Sequence, residues 1–434
     1  MRRFTNRPNL SSLESLFETM FFASLKTEEA HELSFDIVYI DPENPDPDPP
    51  QRIKKDRWCV TPLQHSITLT IPNLVKLASA CDPRTSSLAI YHDSEGRLLV
   101  WGLVDQGNRY SDFMNYDADS TAKRPGLFQA TTGGVGHLIV YMRWKKIAEL
   151  KINTLITNVL DVFSAGPIRD LLEPGLLAYL DSVKQAVPTE MYSYRAHWDA
   201  SLRSYWIESI CRLLLRVQRY RHGGTFLLTP DDSGNGLNIK YALTYERLRT
   251  ALQTKGTLTV QHTYDGDQIY EYMESNEDYV PMDLYLDESI GGSDLEDNRR
   301  ELDSTIWFIS LLTRVDGLVL LDHHLNVKGF GVEITFQDEP ASVRIAVSRF
   351  ANRRSALRVT DYNHYGTRHR SMMRYCYHVP GSVGFVISQD GDVRAMTKVR
   401  EHLVIWENIK LQNTEFMRVK SSTQKRSRTT GKFI

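Results

Sequence analysis

The chain has 434 residues, with 52 Lys and Arg against 54 Asp and Glu, a formal charge of −2. That balance excludes a protein that coats nucleic acid through overall charge, and 41% hydrophobic against 24% charged residues excludes a disordered chain. At roughly 100–200 residues per domain, two or three domains are expected. Cys59, Cys81, Cys211 and Cys376 stand far apart with no C-x-x-C pair, which argues against a disulfide framework or zinc knuckle and for a reducing, cytoplasmic setting. No apolar run approaches the roughly 20 residues of a spanning helix, so no membrane partner is expected.

The N-terminal segment begins with basic residues, but Glu14 and Glu18 interrupt its apolar part and no small-residue cleavage site follows. An amphipathic helix is predicted there rather than a signal peptide. Ser11 and Glu14 fit an S-x-x-E capping box, and Leu13, Leu16, Phe17, Met20 and Phe21 make one apolar stripe. Such a stripe packs on its own domain or on a partner. The Pro/Asp-rich stretch 41–50 must be loop or extended chain. β-Branched and aromatic content predicts strands over 65–71, 86–92, 97–104 and 137–142, and helical spacing is read in 73–81 and 147–163. TTGGVG at 131–136 lacks the Lys-Ser/Thr of a P-loop and is expected to turn between strands. Trp101, Gly102 and Trp144 are expected in the core, with a pocket lining as the alternative.

The second half opens with a helix in which Trp206, Ile207, Ile210, Leu213, Leu214 and Val217 share a face, while Arg212, Arg216 and Arg219 fall off it. It is expected to stop at His222-Gly223-Gly224, ahead of strands at 225–228 and 237–243. Ten acidic residues and no Lys or Arg stand between Glu271 and Asp297. They lack the spacing of a calcium loop, and a solvated insertion or gating loop is predicted. A helix through Leu302, Ile306, Ile309 and Leu312 leads to Asp316-Gly317 and a buried strand, Leu318 to Leu321. Two further strands follow, at 327–335 and 342–348, then a helix after Gly366 and a hairpin turning at Asp390-Gly391. The tail carries Arg418, Lys420, Lys425, Arg426, Arg428 and Lys432 against Glu415 alone, and reads as solvated chain or a contact for an anionic partner.

Two elements carry chemistry. An aspartate beside a glycine, Asp316-Gly317, can hold a cation or accept a proton where a ligand approaches closely, although Asp-Gly is also a common turn. In Gly366-Thr367-Arg368-His369-Arg370, Thr367 is expected to cap the following helix. Cations at a helix N-terminus oppose its dipole, which a fold tolerates best when a polyanion such as phosphate sits on them.

Together these elements resemble the catalytic domain of the diadenylate cyclases. That family pairs a D-G-A motif on one strand with G-T-R-H-R some tens of residues later, then a strand ending in Ser before acidic residues and glycine. The matches are Asp316-Gly317-Leu318, Gly366-Thr367-Arg368-His369-Arg370 and Ser388-Gln389-Asp390-Gly391. The likeness runs from Trp198 to Asn408. The first half is similar, in general pattern, to the probable sensor domain called DACNV, found in front of such cyclase domains.

The resemblance implies an α/β protein with an N-terminal mixed α/β sensor-like domain over 1–190. A cyclase-like domain follows over 195–410, with a mixed central sheet flanked by helices and the acidic insertion 271–297, and then a basic tail over 411–434. The implied activity joins two ATP into cyclic di-AMP, or a related cyclic dinucleotide, with release of pyrophosphate and with Mg2+ or Mn2+. Asp316 is implied as metal ligand and as activator of the ribose 3′-hydroxyl. Arg368, His369 and Arg370 are implied as catalytic and, with Gly366 and Thr367, as nucleotide-binding. Gly317 and Leu318 would adjoin the nucleotide, and Ser388 the phosphates. One ATP per protomer implies a homo-oligomer with face-to-face sites, and an unknown ligand of the N-terminal domain would regulate it.

The pattern departs from the family in three places. Leu318 replaces an alanine and adds bulk beside the nucleotide, Gln389 replaces a glutamate and removes a charge, and the acidic insertion has no counterpart. A catalytically inactive cyclase-like nucleotide sensor is the alternative. A nucleic-acid binder is the third reading, resting on Arg344, Arg349, Arg353, Arg354, Arg358, Arg368 and Arg370, opposed by Asp361 alone, with Tyr362 and Tyr365 available to stack.

Overall fold

Asn9, not Ser11, opens the first helix: its side chain accepts the Ser12 amide at 2.8 Å, and α1 runs Leu10–Ser24. The earlier residue wins because its carboxamide reaches an amide that has no partner within the first turn. The computed structural model describes residues 8–28, 31–45, 58–83, 85–105, 127–142, 145–152, 154–156, 159–194, 198–220, 222–230, 234–275, 280–351 and 354–411. The Pro/Asp-rich stretch beyond residue 45, Trp144, Arg353 and the basic tail lie outside them. The chain divides into two compact units, Met1–Asn158 and Val159–Ile434.

In the first unit a small ribbon, β1 (Thr27–Glu28) and β2 (His31–Glu32), precedes β3 (Asp36–Tyr39) and β4 (Cys59–Thr68). Thr70 caps α2 (Ile71–Ala78), so the strand expected to reach residue 71 ends at Thr68. Then come β5 (Ser86–His92), β6 (Leu98–Asp105), β7 (Phe128–Gly134), β8 (His137–Met142), β9 (Lys145–Lys151) and β10 (Thr154–Ile156). They form one eight-stranded sheet in the order β10-β9-β8-β7-β3-β5-β6-β4, in which β3 and β5 are parallel and the other neighbours antiparallel. Leu16 and Met20 of α1 are buried with Ile37, Tyr39, Leu88 and Ile90, so the stripe packs on its own domain.

Of the TTGGVG segment, Thr131 to Gly134 end β7 and only Val135 and Gly136 turn into β8. Trp101 belongs to the core, its indole donating to the Ile40 carbonyl at 2.9 Å. Among the described residues of 147–163 there are strands, β9 and β10, and not the expected helix. Ala148 and Leu150 pair with Val140 and Leu138 and share their core, so the period is two and the β-branched residues favour strand.

The second unit begins with α3 (Pro167–Ala186), α4 (Thr189–Ser193) and α5 (Trp198–Arg219). Its boundary lies at 158 rather than the expected 190, because Ile168, Leu172, Leu176 and Val183 of α3 are buried in one core with Trp206. Next come β11 (Gly224–Leu228), β12 (Leu237–Tyr245), α6 (Arg247–Glu274), α7 (Met282–Leu312), β13 (Leu318–Leu321), β14 (Val327–Ile334), β15 (Val343–Ala346) and β16 (Leu357–Val359). α8 (Thr367–His378), β17 (Val383–Ile387), β18 (Val393–Val399) and β19 (His402–Trp406) complete the unit. The nine-stranded mixed sheet has the order β12-β14-β13-β11-β17-β18-β19-β15-β16.

Strand alternation sorts the core onto two faces. Phe226, Val319, Phe385 and Val404 are buried with α3, α5, α6 and α7, while Leu227, Leu318, Val386 and Ile405 are buried with Met372, Met373 and Cys376 of α8. The result is a mixed sheet between helical layers. Among the described residues no helix is long and apolar enough to cross a membrane.

Where it is described, the acidic stretch is mostly helix rather than loop: Glu271 and Glu274 close α6 and Asp283 to Asp297 lie in α7, while Glu277 and Asp278 lie outside the described residues. The two helices are pinned by Arg247 to Glu301 at 3.0 Å and by the Asn298 carboxamide donating to the Ala251 carbonyl at 3.0 Å. Leu248, Leu252 and Val260 are buried with Leu302, Ile306 and Ile309, positions that a count of charges alone overlooks. Arg212 and Arg216 are also not solvated. Both are buried, Arg212 in an ion pair with Asp303 and Arg216 donating to the Asp303 carbonyl at 3.4 Å, because α7 covers that flank of α5.

Candidate active site

Strand direction brings the predicted motifs to one end of the central strands. β11 and β13 are parallel, with Phe226 opposite Val319, and β17 runs antiparallel to β11, with Gly224 opposite Ile387. The start of β11, the start of β13 and the end of β17 therefore meet, and α8 begins beside them. Asp316 occupies the turn between α7 and β13 with its side chain 96% exposed, and Arg368, the second residue of α8, brings Nη2 to 3.8 Å from Asp316 Oδ1. The other guanidinium nitrogen of Arg368 donates to the His222 carbonyl at 3.2 Å.

Two glycines make this convergence possible. Gly317, at φ +114°, lies so close to β14 that a Cβ would come 2.5 Å from the Gly331 carbonyl carbon. Gly223, at φ +74°, lies where a Cβ would come 2.8 Å from Arg368 Nη1 and 2.9 Å from the Ile387 oxygen. The Thr225 hydroxyl donates to the Gly317 carbonyl at 3.2 Å and ties the two strand starts together.

The predicted residues take different positions around this point. Ser388 closes the β17–β18 turn, its hydroxyl accepting the Asp392 amide at 3.0 Å. Gly366 has an ordinary φ of −67° and open space around it. Thr367 does not cap α8: it is the first helical residue, and the N-cap is Gly366, which has no side chain to cap with. The first-turn amides carry the positive end of the helix dipole beside Arg368. Leu318, expected beside a nucleotide, is 4% exposed in the core under α8, because its place in the strand alternation turns it inward. The Arg370 guanidinium lies 5.9 Å from the Tyr362 ring centre, and its buried Nε has no hydrogen-bond partner. Arg344 and Arg358 sit on the edge pair β15–β16, separated from β17 by β18 and β19, so the arginine block is not one stripe.

His369 is set apart from its basic neighbours. Burial, then the nearby Arg394 guanidinium, pushes its pKa down to about 4, against an opposing pull from Asp392. It is therefore neutral at pH 7, with Nε2 accepting from Arg394 Nη1 at 3.0 Å, while Arg394 Nε donates to Glu407 at 3.0 Å. A buried neutral histidine costs stability in acid. As pH falls from 6.5 toward 4, the unfolded chain takes up a proton that the folded chain refuses, and stability drops across that window. His369→Gln is expected to remove on the order of 2 kcal/mol of that acid-side loss. Denaturant melts at pH 7 and pH 4.5 check this: an unchanged pH slope in the variant refutes it.

Residues absent from the sequence-level candidates also surround the Asp316 turn. Lys240 of β12 is held above the usual lysine range, chiefly by its 2.6 Å ion pair with Glu333 and also by Tyr241 and Asp316. Tyr241 is half-exposed and stacks on Phe330 with ring centres 4.9 Å apart. Period-two alternation could have paired Lys240 with Asp316 only if the β12–β14 register had been known. Among the described residues no group of three or more His, Cys, Asp or Glu could hold a metal ion. Asp316 offers one open carboxylate at this turn, a single oxygen ligand of the kind a hard cation that keeps its waters would take.

No curated protein matches the chain. Residues 2–105, which run from α1 through β6 and end before the second unit begins, match the family model described as probable sensor domain DACNV, and the chain carries that sensor domain at its N-terminal end.

Proposed function

We propose that the second unit is a diadenylate cyclase, condensing two ATP into cyclic di-AMP or a related cyclic dinucleotide under the control of the DACNV sensor domain. The observation that carries this reading is the approach of Arg368 to Asp316, with the uncapped amides of α8 alongside. A carboxylate beside a guanidinium and a helix N-terminus gives a proton acceptor next to an anion cradle.

Phosphate oxygens displace the weak, exposed Asp316 contact from Arg368, which then holds them bidentately. Asp316 is freed to take the proton of a ribose 3′-hydroxyl and pass it to solvent. The 3′ oxygen bonds to the α-phosphorus of the second ATP, the bond from that phosphorus to the β-phosphate bridging oxygen breaks, and pyrophosphate leaves. The same step in the other direction closes the ring. Mg2+ or Mn2+, when bound, would be held by Asp316 and would supply charge neutralisation. The Tyr241–Phe330 pair offers a base a surface to stack on. Since one site holds one ATP, two protomers must face each other.

The test is to incubate the full chain with ATP and Mg2+ or Mn2+ and separate the products. Cyclic di-AMP, or a cyclic dinucleotide of the same charge, is expected with two pyrophosphates per ring, at a specific rate that rises with protein concentration where the oligomer is weak. Arg368→Ala is expected to lower that rate by about 10²-fold or more, and Arg368→Lys by less, since lysine keeps the charge but loses the fork. ATP bound without product at every metal and protein concentration refutes turnover and leaves the nucleotide-sensor reading.

A further inference from the structure

We infer that the exposed apolar face of α7 is a docking site for the chain's own basic segment, residues 412–434, held by apolar anchors and opposite charge. This docking is independent of the cyclase reading: the face lies in the first half of α7, whereas Asp316 follows the helix's C-terminal end.

Met282, Tyr285, Leu286 and Ile290 recur at i, i+3, i+4 and i+8, so they share one face of α7. Each is 41–62% exposed. The side of α7 turned to α6 is a different one. A Cβ on Gly291 would come 3.3 Å from the His262 Cβ, and His262 Nδ1 lies 3.1 Å from the Glu288 carbonyl oxygen. Four large apolar side chains left in water on one helix face forgo the burial that ordinarily stabilises a helix. A contiguous stripe of this kind marks an interaction surface.

Charge decides what covers it. Between Lys255 and Arg299 the sequence holds twelve acidic residues and no Lys or Arg. Asp283, Asp287 and Glu288 stand in the same turns of α7 as the stripe. A second copy of α7 laid on this face would set those carboxylates against their like, which disfavours that pairing. Segment 412–434, outside the described residues, has the complementary make-up: six Lys and Arg against Glu415 alone, with Phe416, Met417 and Val419 as apolar anchors. Its cations meet the carboxylates while the anchors cover the stripe.

Reach is sufficient. The face and Leu411 belong to the same unit, and Leu411 is buried in the core that also holds Leu252 and Val260 of α6. α6 has 28 residues and extends about 42 Å, while residues 412–434 can span about 75 Å. Being tethered, the segment meets the face at an effective concentration on the order of 1 mM, so modest affinity suffices to occupy it.

The probe is a fluorescent peptide of residues 412–434, titrated by anisotropy into a full chain carrying Phe416→Ser, Met417→Ser, Lys425→Ser and Arg426→Ser. Those changes remove anchors and charge from the chain's own copy of the segment and free the face. The peptide is expected to bind, and to weaken at least about tenfold when salt rises from about 50 to about 500 mM. The unaltered chain, its own segment in place, is expected to bind the peptide at least about tenfold more weakly. Adding Leu286→Ser and Ile290→Ser to the freed chain is expected to weaken binding about tenfold, and Tyr285→Ser serves the same purpose should that variant melt early. No binding to the freed chain, equal binding to both chains, or binding untouched by loss of the stripe overturns the docking. An oligomer mass that falls with Leu286→Ser and Ile290→Ser, with no peptide bound, gives the face to a second copy and overturns it equally.

Discussion

Asp316→Asn is expected to lower cyclic dinucleotide formation by about 10³-fold or more while the fold and ATP binding persist. The two effects separate because of where the side chain lies. Asp316 is 96% exposed and its ion pair with Arg368 is 3.8 Å long, so the carboxylate contributes little to stability. On the proposed reading, its loss removes the carboxylate assigned to take the 3′-hydroxyl proton and to hold the cation. Asparagine keeps the shape and neither function. The same substitution also releases Arg368, so ATP affinity is expected to stay or rise. Product analysis and ATP titration on the same preparation check this. An Asn variant that turns over at the wild-type rate sinks the assignment of Asp316 as the reactive carboxylate, whatever the product.

Gly317→Ala is the largest expected effect on stability. A Cβ there would come 2.5 Å from the Gly331 carbonyl carbon and 2.8 Å from both Gly331 Cα and the Val332 nitrogen, all of them backbone of β14. A flexible side chain could swing aside, but a paired strand cannot. The backbone also sits at φ +114°, which alanine adopts only under strain. Together these are expected to cost about 2–4 kcal/mol and to displace Asp316, lowering both melting midpoint and activity. Gly366→Ala is the control, since its φ is −67° and nothing lies within 4 Å of the added carbon. It is expected to change stability by about 0.5 kcal/mol or less. Equal midpoints for the two variants would refute the account of the β13–β14 approach.

Strands 86–92, 137–142 and 318–321 could be read directly from residue type, because β-branched and apolar residues bounded by turn residues admit few other structures. The segment 147–163 reads as helix because its apolar positions fit two periods at once, and only pairing with β8 selects the period of two. The acidic stretch reads as an insertion because counting charges hides the buried row of Leu248, Leu252 and Val260 against Leu302, Ile306 and Ile309. Burial of Arg212 and Arg216 was equally hidden, since their partner residue Asp303 arrives from a helix far along the chain.

For the site, residue type alone marked Asp316-Gly317 and the Gly366–Arg370 run as a carboxylate and an anion cradle. Their meeting was decided by strand order, which sets β11 parallel to β13 and antiparallel to β17. The triplet that looked uniformly basic was divided by packing: Arg368 faces Asp316, Arg370 lies against Tyr362, and His369 is neutral beneath Arg394. By itself, then, the sequence determined which chemical groups the protein owns and the type of most of its elements, because propensity and periodicity are local properties. Only the tertiary structure decided which groups meet and what charge they carry, because strand register, burial and neighbouring charge are set by residues distant in the chain.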